Sequence, residues 1–381
     1  MVRPWLSLAL SGGLLVALAI PALGIALGFP GPSTVPRASD AYRSFQILDA
    51  KFSAGRSLPT EIVVRAADVT ASPGQEALSR LEVAVEADSE IVLNPGSTDG
   101  PSADRTISLI TVALPGEYAS YEALTALDRL RAEIIMAALG GVDVEAFVGG
   151  QSAGSRDFFD LVERFTPIVF AFVLSMSFLL LLIVFRSLVV PLKAIVMNLL
   201  SVGTAYGMLV LVFQRGVGAG LLGFQESPIV AAWIPLFLFA VLFGLSMDYH
   251  VFLLSRTRER YDETGDNADS VAYGMHSTAN IITGAAAIMV VEFGGFALGD
   301  LVEFQQIGFG VAVAVFLDAT VVRMVLVASA VELLGDRNWY LPSWLIWLPD
   351  LRVEGASPEA TATQPLPAGD QSVLSPGGGS E

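Results

Sequence analysis

The chain has no cysteine and only two histidines, His250 and His276, in 381 residues. That excludes disulfides, thiol nucleophiles, cysteine-ligated zinc and iron–sulfur clusters. Two histidines are too few for a multi-histidine metal site, so no metal or other cofactor is expected. Charge is also scarce, at 15% of residues against about 25% in soluble proteins. Positive charge is scarcer still: 21 Lys plus Arg face 38 Asp plus Glu, a net charge of −17. Nucleic acid is therefore not an expected partner, because affinity for it comes from cations on phosphates. No glycine-rich loop ending in Gly-Lys-Ser/Thr occurs, which argues against ATP as fuel. Residues 29–164 contain no histidine to activate a serine, and metal-ligand spacing is absent there, so the chain is not expected to be an enzyme. What is abundant is apolar: 53% of residues, with a mean hydropathy of +0.62.

Six segments are long and apolar enough to cross a hydrocarbon core, which takes about 20 helical residues. The first runs from about Trp5 to Leu27; the others are about Phe165 to Phe185, Leu192 to Phe213, Ile229 to Leu254, Thr278 to Leu298 and Gln305 to Val331. The expected organisation is a transmembrane helix over 1–28, an extracytoplasmic domain over 29–164, transmembrane helices two to six over 165–335, and a disordered cytoplasmic tail over 336–381. The first segment could alternatively be a secretory signal, given the small residues from Ala22 to Ala26. Its apolar stretch exceeds the roughly 7 to 15 residues of a signal core, and a retained helix fits better.

Basic residues in short connections set orientation. With the N-terminus inside, the cytoplasmic connections hold Arg186, Lys193, Arg256, Arg258, Arg260, Arg337 and Arg352, and the outward ones only Arg215. The chain therefore reads as multi-pass in the cytoplasmic membrane, both termini inside and the large domain outside. That domain, Gly28 to Arg164, carries 20 acidic and 11 basic residues. Its apolar periods predict strands at Glu61–Val64, about Glu90–Leu93, Thr106–Leu114 and Asp143–Val148. They predict helices at Ser72–Ala87 and Tyr121–Leu139, with Asn94–Asp104 as a turn-rich loop. The order is βαββαβ, a split βαβ sandwich. The fold class is thus a polytopic α-helical membrane protein with an α/β domain between helices one and two.

Ionisable groups inside spans cost about 2.5 to 3.5 kcal/mol each on insertion scales and normally face the interior and mark function. Four stand out: Asp248, Glu292, Asp318 and Arg323. Gly244 precedes Asp248 by four residues, Gly310 and Ala314 precede Asp318 at the same interval, and Ala285 and Gly295 flank Glu292. These small-residue stripes predict that all three carboxylates look inward. Arg323 lies about 140° round an α-helix from Asp318, so the spacing does not imply a direct pair. Two readings stand: structural ion pairs that lock the helices, or a proton pathway in which buried carboxyls load and release protons, with the Tyr249 hydroxyl beside Asp248. His250 reads as a further relay group or a hydrogen-bonded packing residue.

The stretch GLSMDYHVFLLSRTRERY, Gly244 to Tyr261, resembles the MMPL branch of the resistance-nodulation-division (RND) superfamily. The resemblance extends through GFGVAVAVFLDATVVRMVLV (Gly308–Val327), DRNWYLP (Asp336–Pro342) and VGGQSAGSRDF (Val148–Phe158). It implies proton-driven export of lipid or other hydrophobic substrate. Asp248 and Tyr249 would form the relay, Asp318 and Arg323 would couple it, Glu292 and His250 would be additional relay candidates, and the outer domain would act as a porter. The family is usually built of two such halves in one chain, and this sequence is similar to the C-terminal half alone. It often has Glu where His250 stands and an apolar or small residue where Glu292 stands. The resemblance therefore implies a half transporter that associates with itself or with a separate N-terminal half, an inactive remnant being the alternative. The competing function is a non-transporting accessory or regulatory membrane protein, similar to the Sec accessory factor or the sterol-sensing members of the superfamily. Substrate-binding residues are not legible.

Overall fold

The computed structural model describes residues 3–52, 58–345 and 347. Six helices among them are long and apolar enough to span a membrane: Pro4–Gly24, Gln151–Phe185, Val189–Gln214, Ile234–Thr264, Asn267–Ala297 and Val302–Trp339, numbered here as spans one to six. The chain is a multi-pass membrane protein.

Span one is bound into the bundle by close backbone approach. Leu15 and Ser11 are buried in it, and the Thr204 hydroxyl of span three donates to the Leu15 carbonyl at 3.1 Å. A Cβ at Gly207 would stand 1.8 Å from the Leu18 carbonyl oxygen. Because that neighbour is backbone, it cannot rotate away. We expect Gly207→Ala to lower stability by at least about 1–3 kcal/mol, the usual cost of overpacking, read as a drop in the thermal midpoint of the detergent-solubilised chain. Leu27–Gly28 then pairs in parallel with Val230–Ala231, tying the end of span one to the entry of span four. The bundle core fills with Leu209, Leu238, Phe239, Phe243 and Val311, and Phe170 stacks on Phe239 with ring centroids 3.7 Å apart.

Between spans one and two lie a helix, Asp40–Phe52, and after it a four-stranded antiparallel sheet with two helices. Its elements are β1 (Thr60–Arg65), α1 (Ser72–Glu86), β2 (Val92–Asp99), β3 (Ile107–Ala113), α2 (Tyr121–Arg129, continued to Leu139) and β4 (Glu145–Gly149). The strand order is β2-β3-β1-β4. Ile62 of β1 sits between Ile110 of β3 and Val148 of β4. Alternation puts Ile62, Val64, Ile110 and Val112 on the face covered by Ala77, Leu81, Leu127 and Leu130. Residues 94–99, expected as loop, are strand; the pairing slips between Leu93 and Thr98, and Gly96 takes φ +73° to make that irregularity.

Arg129 clamps the loop between α1 and β2 through Asp88 and Glu90, at 2.9 and 2.8 Å. Partial burial favours the protonated Asp88 carboxyl, but the Arg129 hydrogen bonds and the Glu90 and Ile91 amides outweigh it and hold its pKa below the ordinary aspartate value. A depressed carboxylate contributes stability above its unfolded pKa and loses it as pH falls through the folded one. Asp88→Asn should therefore loosen this domain at pH 7. The difference from the parent should fade below about pH 4, as read by amide hydrogen exchange in β2.

Two boundaries differ from the sequence expectation. Span two begins at Gln151 rather than near Phe165, one helix running through to Phe185 with Ser152, Ala153 and Ser155 buried at its start. The segment 336–345, expected as the start of a disordered tail, is folded. Gly335–Trp339 and Ser343–Leu345 form 3₁₀ turns, and Asn338 is completely buried. Apart from Trp347, the rest of the expected tail, including Arg352, lies outside the described residues.

Candidate functional site

Three spans bring polar groups together near the middle of the bundle. Ser246 of span four, Asn198 of span three, and Asp318 and Arg323 of span six are all buried. The Ser246 hydroxyl lies 2.8 Å from Asn198 Oδ1 and 3.1 Å from each Asp318 carboxylate oxygen. A hydroxyl has one proton, so its donation is shared between the amide and the carboxylate. Arg323 donates from Nε to Asp318 Oδ2 at 3.0 Å, and from Nη2 to the same oxygen and to the Ser246 carbonyl. Its Cζ also stands 4.7 Å from the Tyr249 ring centroid, a cation–π contact from span four.

The Asp318–Arg323 pair corrects the helix-wheel reasoning. Residues 318–327 are π-helical. With hydrogen bonds from i to i+5 the turn is wider, residues five apart diverge less than on an α-helix, and Arg323 reaches Asp318. The wide turn exists where the charges are, and nothing in hydrophobic periodicity reports it.

Asp248 and Glu292 are also corrected. Neither faces the interior: both are exposed on the described bundle. On span four the exposed ridge is Ala240, Gly244, Asp248 and Phe252, at steps of four. The small-residue stripe was real, but it is an outer one. The same holds for Glu292, which shares an exposed surface of span five with Ile288 and Val291. Tyr249, next to Asp248, turns half inward, its hydroxyl 4.0 Å from Met289 Sδ. His250 is 1% exposed, with Nδ1 3.1 Å from the Ser246 carbonyl; His276 is exposed.

Sequence reasoning missed Ser246, Asn198 and Lys193. Asn198 was a visible polar residue in an apolar run. Lys193, read as a loop cation, lies inside the span-three helix and donates from Nζ to Asn338 Oδ1 at 2.7 Å.

Cavities adjoin these elements. A small one of about 20 Å³ is lined by Ser201, Ser246, Tyr249, Met289, Asp318 and Arg323, room enough for a water molecule. A larger one of about 590 Å³ opens where the start of span six meets the region between spans one and two, lined by Phe45, Leu48, Leu58, Tyr118, Leu301 and Glu303. Its size is that of a small-molecule pocket and its walls are chiefly apolar. Among the described residues no cluster of His, Asp and Glu has the arrangement of a metal site.

Comparison with known proteins agrees with this architecture. The MMPL family profile matches residues 33–348. The mycolic acid-containing lipids exporter MmpL11 of Mycolicibacterium smegmatis is 34% identical over 371 residues, covering 96% of this chain and 37% of that protein. The heme uptake protein MmpL11 of Mycobacterium tuberculosis is 34% identical over 354 residues, covering 91% and 35%. The trehalose monomycolate exporter MmpL3 of Mycolicibacterium smegmatis is 37% identical over 202 residues, covering 53% and 20%. The chain thus spans little more than a third of the length of these two MmpL11 proteins, each of which it matches along most of its own length. With the sheet domain, spans two to six and the mid-bundle charges all inside residues 33–348, the chain belongs to the MMPL family.

Proposed function

We propose that this chain is half of a proton-driven exporter of lipid or other hydrophobic molecules across the cytoplasmic membrane. The observation that carries the reading is the Asp318–Arg323 pair buried mid-span with Ser246 and Asn198 beside a water-sized cavity. Protonation of Asp318 neutralises it and leaves Arg323 buried without its counter-charge. A buried cation without a partner is costly, so the proton shifts the balance between two packings of span six against span four. Each proton crossing supplies about 2.3 kcal/mol per 100 mV. The lipid-exporter relatives support the class of cargo, and the apolar cavity under the domain offers acyl chains a place to enter it.

In this reading both termini are cytoplasmic and residues 29–164 are an outer porter-like domain. The exposed Asp248 belongs to an interface: a carboxylate at mid-span facing acyl chains is expensive, and a second six-span half would cover it. That half is another copy of this chain or a separate N-terminal half, and Asp248, Tyr249 and Glu292 complete their relay against it. The reading is tested in proteoliposomes holding the chain with its second half. Lipid export should stop when a protonophore collapses the gradient, and Asp318→Asn should stop it at unchanged protein abundance. Export that survives both removes the proton coupling.

A second reading rests on the same pair. Arg323 and Ser246 could hold Asp318 as a permanent lock, and the chain would then be a non-transporting accessory or regulatory protein.

A further inference from the structure

The 590 Å³ cavity lies where the start of span six, with Leu301 and Glu303, meets the region between spans one and two. The helix Asp40–Phe52 forms another of its walls with Ala41, Ser44, Phe45 and Leu48. At intervals of three and four residues these lie on one helical face. A chamber with chiefly apolar walls at the end of membrane spans suits a molecule with a hydrocarbon tail.

The charged part of this cavity is acidic. Glu303 stands in the first turn of span six, and among the described residues it has no ion-pair partner. No described Lys, Arg or His lines the cavity. A second carboxylate is set against the wall at Gly31, where a Cβ would stand 2.7 Å from Glu117 Oε2. The missing side chain at 31 therefore leaves that carboxylate its place. Tyr118 is fixed beside both, its hydroxyl donating to the Pro30 carbonyl. Burial, Glu117 and Glu303 together hold the Tyr118 phenol above its ordinary pKa, so the negative charge of both residues is felt at the wall.

That charge selects the head group of an occupant. A carboxylate bordering apolar walls is costly without a counter-charge. An anionic head would add to the cost, a neutral head would leave it standing, and a cation offsets it. The aromatic lining favours the same choice: Phe45 and Tyr118 both line the cavity, and ring faces attract ammonium groups.

Resting on the export reading above, we propose that this cavity binds amphiphiles with an ammonium head, the tail lying among Leu48, Leu58 and Leu301 and the charge held by Glu303 together with Glu117, Phe45 and Tyr118. Selection is by charge, and Glu303 is the residue that exerts it.

Binding needs neither a gradient nor a second half, so it is measured on the chain alone in nanodiscs. Because the chain lacks cysteine, Leu301→Cys supplies a lone thiol at the cavity; Leu301 is 47% exposed, within reach of N-ethylmaleimide. In discs of phosphatidylglycerol, which has no ammonium, dodecyltrimethylammonium should slow labelling of this thiol, and laurate at the same concentration should not. Adding Glu303→Gln keeps the shape of the wall. It should raise the concentration of cation that halves the labelling rate about tenfold, the lower end of what one near opposite charge contributes to an equilibrium. Phosphatidylcholine discs distinguish the source of the ammonium. Slow labelling there without added probe assigns the site to a bilayer lipid, and slowing by the added probe alone assigns it to a single-chain cation. No protection by the cation in phosphatidylglycerol discs, equal protection by laurate, or protection unchanged in Glu303→Gln overturns the site and leaves proton-driven export standing. Retained export in Asp318→Asn overturns the export reading instead.

Discussion

Removing both members of the buried pair, Asp318→Leu with Arg323→Met, should leave a chain as stable as the parent or more so, and wholly inactive. Removing Arg323 alone should cost about 3–5 kcal/mol. The asymmetry comes from desolvation: breaking a buried pair leaves one uncompensated charge, whereas replacing both by apolar groups of similar volume is often neutral or stabilising by about 1–4 kcal/mol. Here the side chains are 3% and 11% exposed, so solvent screening relieves little of that penalty. Ser246 and Asn198 would still satisfy one another. The measurement is a thermal unfolding series in detergent on the parent, the single variant and the double variant, beside lipid export in vesicles. The double variant separates the two functional readings. A lock that only holds helices together can be replaced by apolar packing with function intact; a proton carrier cannot. Export by a stable double variant sinks the proton role of Asp318.

Cysteine placed at Gly244 should crosslink two halves in oxidised membranes. Gly244 lies on the exposed ridge with Asp248, and a Cβ there meets nothing within 4 Å, so the substitution leaves the fold of one half undisturbed. An uncovered Asp248 carboxylate costs about 2.5–3.5 kcal/mol on insertion scales, whereas a small-residue ridge lets another helix approach to backbone distance. The expected product is a disulfide-linked species of two copies. If the second half is a separate chain, it appears only when a cysteine is also present on that chain. Asp248→Leu should weaken this association and abolish export while raising the thermal midpoint of the isolated half. Monomer alone, at every expression level and with either half present, rules out the interface.

Much of the bundle was legible because membrane spanning depends on length and composition, which are local. The helix through Asp248 and the one through Asp318 are both where apolar runs placed them. Strand alternation likewise marked Glu61–Val64 and Thr106–Leu114 within a residue or two. The folding of 336–345 was not legible, since its order comes from Ser187, Lys193 and Arg258, side chains distant in sequence.

The candidate site divided along the same line. Sequence singled out the ionisable residues, because charge in an apolar run is conspicuous at any position. Which of them meet was a matter of helical phase and of neighbours. A π-helical stretch set Arg323 on Asp318, and packing of span four turned Ser246 and His250 inward while leaving Asp248 outside. Composition and periodicity determined that this chain crosses a membrane and carries charge within it. Only the tertiary structure decided which charges are paired and which stand exposed, because an interior exists only once the helices have packed.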